Sequence, residues 1–226
     1  MIRKHNKYHI FTDENNVKYT GVNKLIYKFK VEEDWDKLCE KTAAKRGVDP
    51  KALRAEWDAK AEKSKKRGVI YHEFMERKYE SMNKPFIHIN KKLMWDSCSF
   101  KDGHVYIEQP VWDTDKKIIG IVDYIQVKDN SINIIDYKTN EEIKFESFKD
   151  KRYLDPLSHI PDCNAFDYYL QINFYMYLSL KNNPKLKMGK MFIEHVTFDW
   201  DDNIKDTIMI PVPNYQKEIN LIINHV

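Results

Sequence analysis

The sequence predicts an α/β (α+β) fold, and three stretches predict it. Residues 118–139, IIGIVDYIQVKDNSINIIDYKT, read as two strands, 118–127 and 132–137, joined at Asp129-Asn130-Ser131. Both runs are rich in β-branched residues, which fit a sheet interior. The run after Pro50 is rich in Ala, Glu and Lys, all good helix formers. Residues 165–180, AFDYYLQINFYMYLSL, are apolar or aromatic on nearly every side, and their length favours a buried helix over a strand.

The remaining elements follow in chain order. Residues 8–11 and 17–19 read as a small hairpin turning at 13–16. Thr20 is positioned to cap a short helix bearing Val22, Leu25, Ile26 and Phe29. Residues 33–46 read as a helix ending at Gly47. Asp49 and Pro50 then look like an N-cap and a first-turn proline. The helix that follows carries Leu53, Trp57 and Ala61; its pattern either continues through Gly68 or breaks there, and a second helix over about 67–80 is the favoured reading. A strand is expected over 104–112, although Pro110 argues against a fully central place for its end. Residues 140–164 are polar and irregular, and a loop of that length in a compact domain is often functional. Two further strands are expected over 191–198 and 204–210, and a terminal helix over 214–225.

With 226 residues the chain can bury one substantial core, so residues 1–226 read as a single domain with a helical N-terminal region and a C-terminal helix. A net charge of +3 permits a nucleic-acid partner without demanding one. Its distribution is more informative. Lys60, Lys63, Lys65, Lys66 and Arg67 cluster just before His72, whereas Lys149, Lys151 and Arg152 read as an ordinary solvated face. Cys39, Cys98 and Cys163 lie far apart and form no CxxC pair, which argues against a zinc ribbon or disulfide scaffold and fits a reducing, cytoplasmic setting. No signal peptide and no membrane span are expected.

Chemistry concentrates in the central hairpin. Asp123 lies within its first strand, Asp136 near the end of the second, and Lys138 at i+2 from Asp136 shares its face. An Asp-x-Lys in a strand is usually a solvated edge. Placed among core-like residues, two acids and a lysine look instead like a metal-dependent phosphodiesterase centre. The acids can hold a hard divalent cation. The lysine can hold a phosphate oxygen or steer the attacking water. Gly68, His72 and Glu76 are successive i+4 neighbours on one helix face. Glycine there permits close approach to another backbone, His72 can offer an imidazole to a metal, and Glu76 can stand behind it; the plainer alternative is a surface histidine. Glu108 interrupts an apolar strand, where edge ion-pairing is the plainer alternative. Gln171 and Tyr175 lie one turn apart on the aromatic helix. A buried glutamine needs partners, and the tyrosine can stack on a base or fill the core.

Taken in order, these pieces resemble the RecB-type branch of the PD-(D/E)xK nuclease superfamily: Gly-x-x-x-His-x-x-x-Glu at 68–76, the isolated Glu108, Gly-x-x-Asp at 120–123, Asp-Tyr-Lys-Thr at 136–139 and Gln-x-x-x-Tyr at 171–175. The lysine-rich helix before His72 and the segment Pro156-Leu157-Ser158-His159 are similar to phage-encoded exonucleases of that branch. The resemblance implies a central mixed sheet flanked by helices, with a restriction-endonuclease-like core. It implies that His72, Asp123, Asp136 and the main-chain carbonyl of Tyr137 ligate Mg²⁺ or Mn²⁺, that Lys138 is the catalytic lysine, and that Glu108 supports the metal region. Gln171, Tyr175 and Glu76 would shape the site, and Lys65, Lys66 and Arg67 would line the DNA track. The implied partners are DNA and phage recombination or replication proteins, in the host cytoplasm for a viral protein. Val122 stands where the superfamily's nominal proline precedes the first aspartate. Three scattered cysteines do not support the four-cysteine iron–sulfur cluster of some relatives, and no Walker motif is present. An inactive nucleic-acid-binding module and a viral inhibitor of a host system remain the alternatives.

Overall fold

The computed structural model describes residues 1–5, 10–81, 86–87 and 94–225. Two short strands, β1 (Ile2–His5) and β2 (Ile10–Asp13), pair antiparallel. Of the expected hairpin over 8–19, residues 8 and 9 lie outside the described residues. Over the rest, Asp13 N donates to the Val17 carbonyl and Tyr19 N to the Phe11 carbonyl around the Thr12–Lys18 bridge, while β2 takes β1 as its ladder partner. Asp13 accounts for the turn, accepting from the amides of Asn15 and Val17.

Thr20 does not cap a helix. It lies in β3 (Thr20–Gly21), and Gly21 precedes α1 (Val22–Tyr27) with no side-chain cap. Next comes α2 (Trp35–Arg46), capped by Asp34 and closed by Gly47 in the left-handed region at φ 69°. Asp49 caps α3 (Pro50–Glu80) by accepting from Ala52, with Pro50 in its first turn as expected. The expected break near Gly68 is absent, and α3 runs through it. One interior glycine costs about 1 kcal/mol of helix propensity, which good helix formers on either side and packing against the sheet offset.

Among the described residues, seven strands form the main sheet, which is mixed: β10 (Ile204–Pro211), β9 (Lys187–Phe198), β8 (Ser131–Lys138), β7 (Ile118–Lys128), β6 (Val105–Asp113) and β4 (Phe86–Ile87), in that order, with β3 beside β7. The β6–β7, β7–β8 and β9–β10 pairs are antiparallel, while β8–β9, β3–β7 and β4–β6 are parallel. The parallel β8–β9 pair needs a crossover, supplied by α4 (Asn164–Asn182). A second, three-stranded sheet has the order β2-β1-β5, with β5 at Met94–Trp95. The chain's last helix is α5 (Gln216–Asn224).

Alternation along β8 puts helices on both faces of the main sheet. Ile132 and Ile134 join the large cluster built on α1, α4 and α5. Tyr137 and Ile135 face the other way, toward Tyr71 and Met75 of α3. The central mixed sheet flanked by helices is thus observed. The 140–164 connection is pinned down: Tyr153, Leu157 and Ile160 are buried in the core, and Lys30 ties Asp162 and Asp167 together at 2.7 and 2.8 Å. Among the described residues, no helix is long and apolar enough to cross a membrane.

Candidate metal centre

Five elements meet at one end of the β7–β8 hairpin. α3 brings His72, β6 brings Glu108, β7 brings Asp123, β8 brings Asp136 and Lys138, and α4 brings Gln171 and Tyr175.

The strands do this through a shared break in alternation. On β7, Val122 and Ile125 both face α4, although Tyr124 faces α3. On β6, Val105 and Ile107 face α3, yet Val111 faces α4. Strict period-two alternation forbids both patterns. The two breaks lie opposite one another, since Ile107 pairs with Tyr124 and Gln109 with Val122. Glu108 sits at the break with φ 50°, a left-handed backbone that costs a non-glycine residue about 1–3 kcal/mol. Strain of this kind re-aims a side chain, and both Glu108 and Asp123 end beside His72.

His72 Nδ1 donates to Glu108 Oε1 at 2.8 Å and lies 3.7 Å from Asp123 Oδ1. Donor atoms of His72, Glu108 and Asp123 all fall within 4.8 Å of one another. Asp123 Oδ2 accepts from the Tyr137 amide at 2.7 Å, which brings that backbone to the centre. Asp136 is not in this tight group. It is buried, and its Oδ2 lies 2.5 Å from Lys138 Nζ. That contact is ionic rather than well directed, because Oδ2 makes no aligned hydrogen bond. Lys138 Nζ also donates to Gln171 Oε1 at 2.9 Å, and Gln171 Nε2 donates to Tyr175 Oη at 2.7 Å.

Burial, then the neighbouring Asp136, holds the Asp123 carboxyl well above the usual carboxylate range. Burial opposes charge on His72, but Asp123 and Glu108 outweigh it and push the ring up to about 9. Burial likewise opposes charge on Lys138, and Asp136 and Asp123 more than restore it, so its pKa is raised.

The other expected residues are arranged less uniformly. Glu76 is buried one turn along α3 from His72. Gly68 does permit a close approach: a Cβ there would stand 3.3 Å from Thr139 Oγ1, just past the end of β8. Lys65 and Lys66 are exposed. Arg67 is engaged, pairing with Asp202 at 2.5 Å, donating to the Asp199 carbonyl and covering the Phe198 ring. Two residues outside the expected set also adjoin Lys138. Tyr168 lies under Lys138, its ring centroid 4.6 Å from Nζ; its i, i+3 spacing from Gln171 was the available signal. His195 is buried beside Lys138 in the β8–β9 register, and its Nε2 donates to the Asn140 carbonyl at 2.7 Å. No local pattern singles it out.

The model of the PD-(D/E)XK nuclease superfamily matches residues 24–221. The chain belongs to the PD-(D/E)XK nuclease superfamily. Comparison with curated proteins gives no match. PD-(D/E)XK nucleases use divalent metals, and the donors of this member fit one. An imidazole nitrogen and carboxylate oxygens suit a divalent ion with hard character. Burial, and after it the neighbouring Asp136, disfavour the charged form of Asp123, and a nearby cation favours that form. His72, Glu108 and Asp123 form a group whose donor atoms are close enough together to hold one.

Proposed function

We propose that this PD-(D/E)XK protein is a divalent-metal-dependent deoxyribonuclease, and specifically an exonuclease of the RecB-type branch serving phage DNA recombination, replication or repair. The observation that carries the reading is the convergence of His72, Glu108 and Asp123 within 4.8 Å, next to the Lys138–Asp136 pair. In this reading His72, Asp123, Asp136 and the Tyr137 carbonyl hold Mg²⁺ or Mn²⁺. Glu108, bonded to His72 Nδ1, fixes the ring's orientation, as carboxylates commonly do around ligating histidines. The bound cation supplies Lewis acidity to the scissile phosphate and a water of lowered pKa.

The chain's own groups do the rest. Lys138 keeps its charge at neutral pH and presents it to a phosphate oxygen or orients the attacking water. Gln171 and Tyr175 hold that amine in place. Exposed Lys65 and Lys66 attract the DNA backbone, so affinity falls with salt. The preference for exonuclease action rests on the order of the motifs and their likeness to phage exonucleases.

Incubation with end-labelled linear and circular DNA, single- and double-stranded, in Mg²⁺ or Mn²⁺ tests the reading. Linear DNA is expected to shorten from its ends and circular DNA to persist. Lys138→Ala is expected to abolish cleavage. Failure of the wild-type protein to degrade any of these DNAs rejects the enzyme, and cleavage of circles assigns an endonuclease.

A further inference from the structure

Between the α1–α2 connection and the 148–151 turn lies a cleft of about 900 Å³. Three aromatic side chains line it while remaining open to solvent: Tyr27 at 57%, Trp35 at 59% and Phe148 at 73% exposure. Rings this exposed are expensive to leave in water, and grouped apolar exposure marks a binding surface. The surrounding charges decide what kind. Lys30 is held by Asp162 and Asp167, and Lys151 by Glu33. Lys28 and Lys149 line the cleft with no ion pair among the described residues, against one such carboxylate, Glu32. One lining residue is tied to the helix that also bears Gln171 and Tyr175. Lys30 Nζ reaches Asp167 on α4, and the adjoining Tyr168 ring lies under Lys138.

We propose that this cleft holds an unpaired strand of DNA, its bases stacked on Tyr27, Trp35 and Phe148 and its phosphates met by Lys28 and Lys149. Aromatic platforms interleaved with cations bind single strands without reading sequence, whereas a duplex hides the base faces such rings require. The inference deepens the deoxyribonuclease reading and rests on its assignment of a DNA substrate.

Fluorescence anisotropy in EDTA, where nothing is cleaved, tests it with a short labelled oligo(dT), an abasic oligonucleotide of equal length and a blunt duplex. The double substitution Trp35→Ala/Phe148→Ala touches only exposed side chains and is checked for an unchanged melting temperature. Oligo(dT) affinity is expected to fall at least about tenfold in the double variant. The abasic strand is expected to bind the wild-type protein at least about tenfold more weakly than oligo(dT), and duplex affinity to stay unchanged on substitution. Equal oligo(dT) affinity in variant and wild type overturns the proposal, as does abasic DNA binding as tightly as oligo(dT). Loss of self-association in the variant, without oligonucleotide binding by either protein, also overturns it and assigns the surface to a second copy of the chain. The two readings fail separately. A protein that binds oligo(dT) through the cleft yet degrades nothing in Mg²⁺ or Mn²⁺ refutes the nuclease alone. One that degrades DNA with oligo(dT) affinity untouched by the substitutions refutes the cleft alone.

Discussion

Lys138 donates to Gln171 across the boundary between sheet and helix, Nζ to Oε1 at 2.9 Å. The bond joins the last residue of β8 to the middle of the crossover helix, and Tyr175 steadies the far side of the glutamine amide. A lysine side chain has several rotatable bonds, so its ammonium occupies one position only when partners hold it. Asp136 supplies charge to that position and Gln171 supplies direction. Gln171→Ala is therefore expected to lower the cleavage rate about tenfold through lost positioning. Mn²⁺ affinity should change little, because Gln171 is outside the His72, Glu108 and Asp123 group. Parallel kinetics and calorimetry check this, and a fall in metal affinity matching the rate would reject the positioning role.

Gly120 makes the same arrangement sensitive to one methyl group. A Cβ built there would stand 2.4 Å from Tyr175 Cε1 and 2.6 Å from Cδ1. Tyr175 is buried and bonded to Gln171, so it cannot swing away cheaply. Gly120→Ala is expected to cost about 1–3 kcal/mol by overpacking. For a chain of this size that lowers the melting temperature by about 2–4 °C per kcal/mol. Thermal unfolding checks the prediction, and an unchanged midpoint means that the tyrosine is loosely packed.

The three clustered donors should differ in what their loss does. His72→Ala and Asp123→Asn remove donor atoms from the centre and are expected to abolish measurable Mn²⁺ binding. Glu108→Gln keeps a hydrogen-bond acceptor near His72 Nδ1 but removes the charge, and should weaken binding about 10–100-fold. Isothermal titration with each variant makes the comparison. Equal affinity across all three variants and the wild type means that no cation is held there.

Much of this centre was legible in the sequence because its parts obey simple periods. Gly68, His72 and Glu76 share a face at i+4, and Asp136 and Lys138 share one at i+2; the structure keeps both relationships. Propensity alone treats Gly68 as a helix breaker, whereas here its missing Cβ lets α3 approach Thr139. A good capping side chain at Thr20 expresses only a local preference, and pairing with Ile118 claims it for the sheet. The position of Glu108 depends on a left-handed backbone that no neighbouring residue announces. His195 matters only because β9 lies beside β8, a relationship between segments far apart in the chain.

The His72 ring gives the centre a pH dependence whose sign follows from its neighbours. In the metal-free protein its pKa rises from 6.5 to about 9: burial opposes the charge, and Asp123 and Glu108 prevail. A group whose folded pKa is raised stabilises the fold fully below its unfolded value, and that contribution is lost as pH rises through the folded value. The metal-free protein should therefore lose stability between about pH 6.5 and 9, and His72→Ala should lack that loss. A cation must displace the same proton, so stabilisation by added Mg²⁺ should grow across the same window and level off above it. Melting temperatures in EDTA and in Mg²⁺, measured across this range for wild type and His72→Ala, check both trends. If the two proteins keep parallel profiles, the ring does not titrate against the cation, and the imidazole must be removed from the ligand set.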